Sequence, residues 1–186
     1  MVIEAKYDSA WTFGDELTRL VLHGKITPEE AYIKAIDKEE IRISLENNGI
    51  PLDFLKVEEA ALDAARTAET RQMIDRLRQA VRANPDDVNA GNDQAWLLAT
   101  TPIDELRNGR EAVRLAERAA KLTRHDEAGI LDTLAAAYAE TGAYRRAAEM
   151  AQRALEIAGE KKLQELIGPL TMRVRLYRDK RPFRDI

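Results

Sequence analysis

The feature that most constrains this chain is a ten-residue helical pattern that occurs twice, 35 residues apart. Residues 110–119 (REAVRLAERA) align with residues 145–154 (RRAAEMAQRA). Alanines recur in both copies at a spacing that places small side chains on one stripe of a helix. These alanines are Ala112, Ala116 and Ala119 in the first copy, and Ala147, Ala151 and Ala154 in the second. Because small side chains let two helices pack closely, we predict an all-α fold of stacked helix pairs.

Turn residues divide the chain around these copies into further helices. Asn84-Pro85, Thr101-Pro102, Gly142 and Gly159 interrupt the helical periodicity. The predicted helices after the N-terminal segment are 53–67, 70–83, 87–100, 109–122, 127–141, 144–158 and 160–178. Alanine, leucine, glutamate and arginine dominate these segments, a composition typical of exposed amphipathic helices.

One helix pair resembles the tetratricopeptide repeat family. Leu134-Ala135-x-x-Tyr138 stands where that family has Leu-Gly-x-x-Tyr, Gly142 ends the first helix, and the alanines of residues 147–154 follow at the family spacing. The resemblance covers residues 53–158 as about three units, and the segment to Arg178 resembles the capping helix that closes such arrays. It implies a helix-pair solenoid with a concave groove.

The chain also departs from that family. The second unit has about five extra residues, 101–105, between its helices, and it has Gln94 and Leu98 where the family has leucine and tyrosine. The first unit, residues 53–85, keeps the closing turn but almost none of the first-helix signature. The resemblance is therefore strongest in the third unit.

The N-terminal residues have a different pattern. Thr27-Pro28-Glu29-Glu30 combines a capping box with a proline at the first helical position, and residues 12–48 are predicted to form three short helices. We predict a segment 1–51 followed by an array 52–186. Residues 12–48 also resemble the C-terminal tail of type IV pilus retraction ATPases. No G-x-x-x-x-G-K-[ST] motif is present, so this resemblance implies a docking module without ATP hydrolysis.

The tetratricopeptide resemblance implies that the first helix of each unit lines the groove. The protein-binding residues expected there are Leu62, Arg66, Asn89, Asn92, Trp96, Thr100, Asp132 and Glu140. Trp96 is a plausible anchor, because tryptophan is enriched at binding hot spots. The alternative is that Trp96 lies in the core or under the N-terminal helices.

No residue pattern indicates catalysis, a metal or a cofactor. The chain has no cysteine, and its two histidines, His23 and His125, stand near predicted helix ends. Its acidic pairs stand near predicted helix starts, where they complement the helix dipole. We therefore predict a protein that is not an enzyme.

The charge of the chain argues against a broad basic surface of the kind that binds nucleic acids. The formal net charge is −4, although residues 172–186 alone carry six basic and two acidic side chains. That tail is interpreted as neutralising the end of the last helix, with an acidic partner, RNA or lipid as alternatives. No apolar stretch is long enough to span a membrane and no secretory signal is present, so a cytoplasmic protein is expected.

These observations predict a non-catalytic protein–protein interaction module, a scaffold or adaptor that binds a peptide or helix of another protein in its groove. Two alternatives remain open. One is a structural protein that self-assembles, and the other is a regulator of a pilus or secretion ATPase acting through residues 12–48.

Overall fold

The computed structural model describes residues 12–185, so residues 1–11 of the predicted N-terminal segment and Ile186 lie outside it. Within that range the chain forms nine α-helices and one 3₁₀ turn, with no strand, which confirms the all-α prediction. The helices are α1 Phe13–Leu22, α2 Pro28–Lys34, α3 Lys38–Asn47, α4 Asp53–Ala83, α5 Val88–Thr100, α6 Gly109–Leu122, α7 Ala128–Glu140, α8 Tyr144–Glu160 and α9 Gln164–Arg178. The chain divides into two compact units between Ala65 and Arg66, inside α4, whereas the sequence placed a boundary after residue 51.

The first unit, up to Ala65, begins with the three predicted short helices. The capping box at α2 is present: Glu30 N–H donates to Thr27 Oγ1 at 3.1 Å, and Thr27 N–H donates to Glu30 Oε2 at 2.8 Å. Asp37 caps α3 through two backbone N–H groups. The small core of this unit consists of Leu17, Ala31, Ala35, Ile41 and Leu45.

Helix α4 corrects the sequence-based assignment. The sequence predicted two helices, 53–67 and 70–83, but one helix of 31 residues covers both. No glycine or proline occurs between Asp53 and Ala83. Thr70, where the second helix was predicted to begin, donates its hydroxyl to the Arg66 carbonyl at 2.9 Å within the helix. Residues 53–83 are therefore not a helix pair, and the prediction of a first two-helix unit there is wrong.

The second unit is organised around α7. Helices α5 to α9 each pack against the next one along the chain, and α5 also packs on α7. Every residue of α7 from Ile130 to Ala139 is buried, Asp132 and Thr133 included. The six stripe alanines are at most 2% exposed. The sequence therefore predicted correctly that the alanine stripes of α6 and α8 are buried where these helices pack against their neighbours.

The end of α9 sends the chain back towards the other helices of this unit. Lys180 has φ +57°, its N–H donates to the Tyr177 carbonyl at 3.1 Å, and the Arg181 N–H donates to the Leu176 carbonyl at 3.0 Å. This is a Schellman ending with lysine in the position that glycine usually takes. The four residues that follow, Pro182–Asp185, are called the return segment below.

Between residues 12 and 185, no helix has both the length and the apolar character that crossing a membrane requires.

We expect Ala151→Leu to lower the free energy of unfolding of the second unit by about 1–3 kcal/mol, because Ala151 is fully buried and the larger side chain must displace its neighbours. Urea unfolding followed by Trp96 fluorescence in a Trp11→Phe background measures this loss. Ala80→Leu, at an exposed position of α4, is the matched control and should change stability by less than about 0.5 kcal/mol. Equal losses in the two variants would contradict the close-packing argument.

Candidate functional site

A buried ion pair joins α7 to α9. Arg173 donates from Nε to Asp132 Oδ1 at 2.7 Å and from Nη2 to Asp132 Oδ2 at 2.5 Å. Both side chains are less than 10% exposed. Asp132 stands in the middle of a helix that is otherwise apolar and covered, so its carboxylate needs a partner that has also left water. The bidentate geometry satisfies both carboxylate oxygens.

The same guanidinium contacts two aromatic rings. Arg173 Cζ is 5.4 Å from the ring centroid of Trp96 and 5.0 Å from that of Phe183, both within the range of cation–π attraction. The two rings also contact each other, with centroids 5.7 Å apart at an angle of 42°. Trp96 belongs to α5 and Phe183 to the return segment, so Arg173 connects three parts of the unit.

The last two residues of the return segment make polar contacts with α5 and α7. The Asp185 N–H donates to the Thr100 carbonyl at 2.9 Å, and its carboxylate accepts the indole N–H of Trp96 at 2.7 Å. Arg184 Nη2 is 2.7 Å from Glu140 Oε2. The surface around these contacts is called the α5–α7–α9 face below. It is defined by Asn92, Trp96, Thr100, Asp132, Glu140 and Arg173.

Glu140 is held in place from the opposite side. Arg107 Nε donates to Glu140 Oε1 at 3.0 Å, while its Nη1 donates to the carbonyls of Thr101 and Pro102. Arg107 follows the 3₁₀ turn Asp104–Leu106, which lies between α5 and α6 where the sequence indicated extra residues. The insertion therefore positions a cation that orients Glu140 independently of the return segment.

The structure separates the predicted groove residues into two groups. Trp96, Thr100 and Glu140 contact the return segment, and Asp132 is connected to it through Arg173. Asn92 lies one turn before Trp96 and is half-buried, with an Oδ1 that has no hydrogen-bond partner among the described residues.

The other predicted residues do not contact the return segment through a described hydrogen bond or ion pair. Asn89 is exposed near the start of α5, and Leu62 is 62% exposed in the first unit. Arg66 is exposed in the second unit, where it lines a cavity of about 440 Å³ with Leu97, Ile103 and Asp185.

Trp96 is neither a core residue nor left open to solvent. It is half-buried, and its indole nitrogen is bonded to Asp185. The role of Trp96 as an anchor for a partner stays a prediction. What covers it in the second unit is the return segment.

Sequence reasoning missed Arg107, Arg173, Phe183, Arg184 and Asp185. The basic tail was assigned to the helix dipole, whereas two of its arginines make specific ion pairs with α7. One signal was present in the sequence: an aspartate in the middle of an apolar helix requires a cation from another element.

Burial raises the pKa of two ionisable groups at the contact between α7 and α9. Burial raises the pKa of the Asp132 carboxyl, and the Arg173 guanidinium opposes that rise. Burial also raises the pKa of the Tyr177 hydroxyl, and the Asp132 carboxylate adds to that shift. Across residues 12–185, no group of three or more histidine, aspartate or glutamate side chains is placed to hold a metal ion.

Comparisons of this chain with protein-family models, with curated proteins and with solved structures give no match.

Asp132→Leu is expected to lower the free energy of unfolding by about 3–5 kcal/mol, because it leaves Arg173 buried without a counter-ion. Adding Arg173→Met removes that unpaired charge, and most of the loss should return. Urea unfolding followed by far-ultraviolet circular dichroism compares the wild-type, single and double variants. If the double variant is no more stable than Asp132→Leu, the pair is not what makes Asp132 tolerable in α7.

Proposed function

We propose that this protein is a non-catalytic interaction module, a scaffold or adaptor whose α5–α7–α9 face binds an extended segment of another protein. The observation that supports the proposal is that an extended segment, the return segment, already lies on this face. Its contacts are an aromatic stack, an ion pair and a backbone hydrogen bond. These are the contacts that peptide-binding surfaces use for affinity and register.

The chemistry of the face also suits a ligand more than a buried core. Trp96 offers a half-exposed ring and a side-chain donor, and Glu140 offers a carboxylate.

The proposal includes a tetratricopeptide-like arrangement for α5 to α9. In this interpretation α5–α6 and α7–α8 are two units and α9 is the capping helix. The packing of α5 on both α6 and α7 agrees with it. We also propose that the protein acts in the cytoplasm, a reducing compartment in which a chain without cysteine functions normally.

A second candidate function is docking through the first unit, favoured by its exposed apolar side chains. Ile36 is 90% exposed, Ile33 is 67% exposed, and Val57 on the same unit is 70% exposed. Tyr32, Ile33, Phe54 and Val57 line a cavity of about 490 Å³. This surface fits the alternative in which residues 12–48 dock on an ATPase, or on another copy of the chain.

Site-specific photo-crosslinking in source cells distinguishes the two candidates. The crosslinker benzoylphenylalanine replaces one residue at a time: Asn89 beside the α5–α7–α9 face, Ile36 on the first unit, or Arg153 at an exposed control position of α8. We expect the Asn89 position to capture a specific protein that Arg153 does not. Adding Trp96→Ala should reduce that capture at least about tenfold, as for loss of a binding hot spot.

Other outcomes favour other functions. Capture from Ile36 alone moves the docking role to the first unit, and capture of further copies of the chain alone favours self-assembly. The same set of proteins from Asn89 and Arg153, unchanged by Trp96→Ala, would overturn the proposed function of the face.

A further inference from the structure

The return segment shows which chemistry the α5–α7–α9 face selects. Phe183, Arg184 and Asp185 are consecutive, and each contacts a different chemical group of the face. Phe183 contacts the ring of Trp96, Arg184 pairs with the carboxylate of Glu140, and Asp185 accepts the indole N–H of Trp96. The backbone bond from Asp185 to Thr100 fixes the register of these contacts. The face therefore recognises an order of side chains as well as an extended backbone.

The face is organised without the return segment. Arg173 is fixed by Asp132, and Glu140 is fixed by Arg107, through hydrogen bonds that involve no residue beyond α9. Removing the segment would therefore leave the Arg173 cation and the Glu140 carboxylate near their present positions. A preorganised surface of this kind binds a replacement without a large ordering cost.

The return segment is only partly covered by the rest of the unit. Pro182, Phe183 and Arg184 are half-buried, Asp185 is exposed, and none of the four belongs to a helix. Lys180, which turns the chain, has a positive φ that lysine adopts at some energetic cost. The connection to α9 is short, so the segment has a high local concentration at the face.

Asp185 also lines the cavity of about 440 Å³, whose apolar lining includes Leu97, Pro102 and Ile103. The acidic position of a bound segment therefore lies next to an apolar surface, which favours an apolar side chain beside the acid.

We propose that the return segment is an intramolecular occupant of the α5–α7–α9 face, and that the partner is an extended protein segment with the order aromatic, arginine, acid and apolar, which displaces it. This inference rests on the proposed function of the face and specifies its ligand and its regulation. A partner must therefore bind the face more favourably than the tethered return segment does.

A labelled peptide tests the inference on the full chain. The probe is the octapeptide DKRPFRDI, identical to residues 179–186, and its binding is measured by fluorescence anisotropy. The opened chain carries Phe183→Ala and Arg184→Ala. We expect the probe to bind the opened chain. An effective concentration of about 1 mM for the tethered segment would weaken binding to the wild-type chain about 100-fold for a peptide with a Kd of about 10 μM.

Matched variants locate the binding. Glu140→Gln or Trp96→Ala in the opened chain should each weaken the probe at least about tenfold, whereas Met172→Ala, at an exposed position of α9, should not. A probe with the Phe and Arg positions changed to alanine should not bind. Circular dichroism verifies that the opened chain is folded; if it is not, the single variant Phe183→Ala replaces it.

The outcomes are separable from those of the proposed function. Equal affinity for the wild-type and opened chains, or binding to neither, overturns the inference even where crosslinking from Asn89 still captures a partner. A wild-type dimer that is lost on Phe183→Ala would show that the segment is exchanged between copies, which overturns the intramolecular version. Failure of the Asn89 capture together with tight probe binding would instead count against a partner protein.

Discussion

The interaction on which the second unit depends most is the Asp132–Arg173 ion pair. A charge in the middle of a fully covered helix is unfavourable unless a counter-ion accompanies it, so α7 and α9 are obliged to meet at this point. The position of Arg173 then decides where the Trp96 and Phe183 rings lie, because the guanidinium contacts both. The arrangement of the α5–α7–α9 face is therefore a consequence of a charge that the core must neutralise.

The parts of the fold that local signals specify could be predicted from the sequence. The cap at Thr27, the turn at Gly142 and the alanine stripes of α6 and α8 each depend on residues close together in the chain, and the structure confirms them. The error over α4 is also local: Thr67–Thr70 has lower helix propensity than its neighbours, but lacks a glycine or proline to end a helix. The lower helix propensity of these four residues did not end the helix, because strong helix formers stand on both sides of them.

The site was only half predictable because its other half comes from distant residues. Trp96, Asp132 and Glu140 were found from their register in α5 and α7, which is a local property. Arg173 and the return segment reach them across 41 to 89 positions of sequence. No periodicity encodes such contacts. The available clue was energetic, since an aspartate within an apolar helix requires a cation from another element.

The proposed exchange at the face depends on separate supports for Glu140 and for the return segment. If Glu140 depended on Arg184 alone, loss of the return segment would leave the carboxylate without a partner. Arg107 holds the other carboxylate oxygen from the connection between α5 and α6, so Glu140 keeps one partner when the segment leaves. The extra residues of this connection also have a physical role, since the carbonyls of Thr101 and Pro102 accept hydrogen bonds from Arg107 and so fix its position. In the proposed exchange, a partner replaces the return segment by mass action, without a conformational change in the helices.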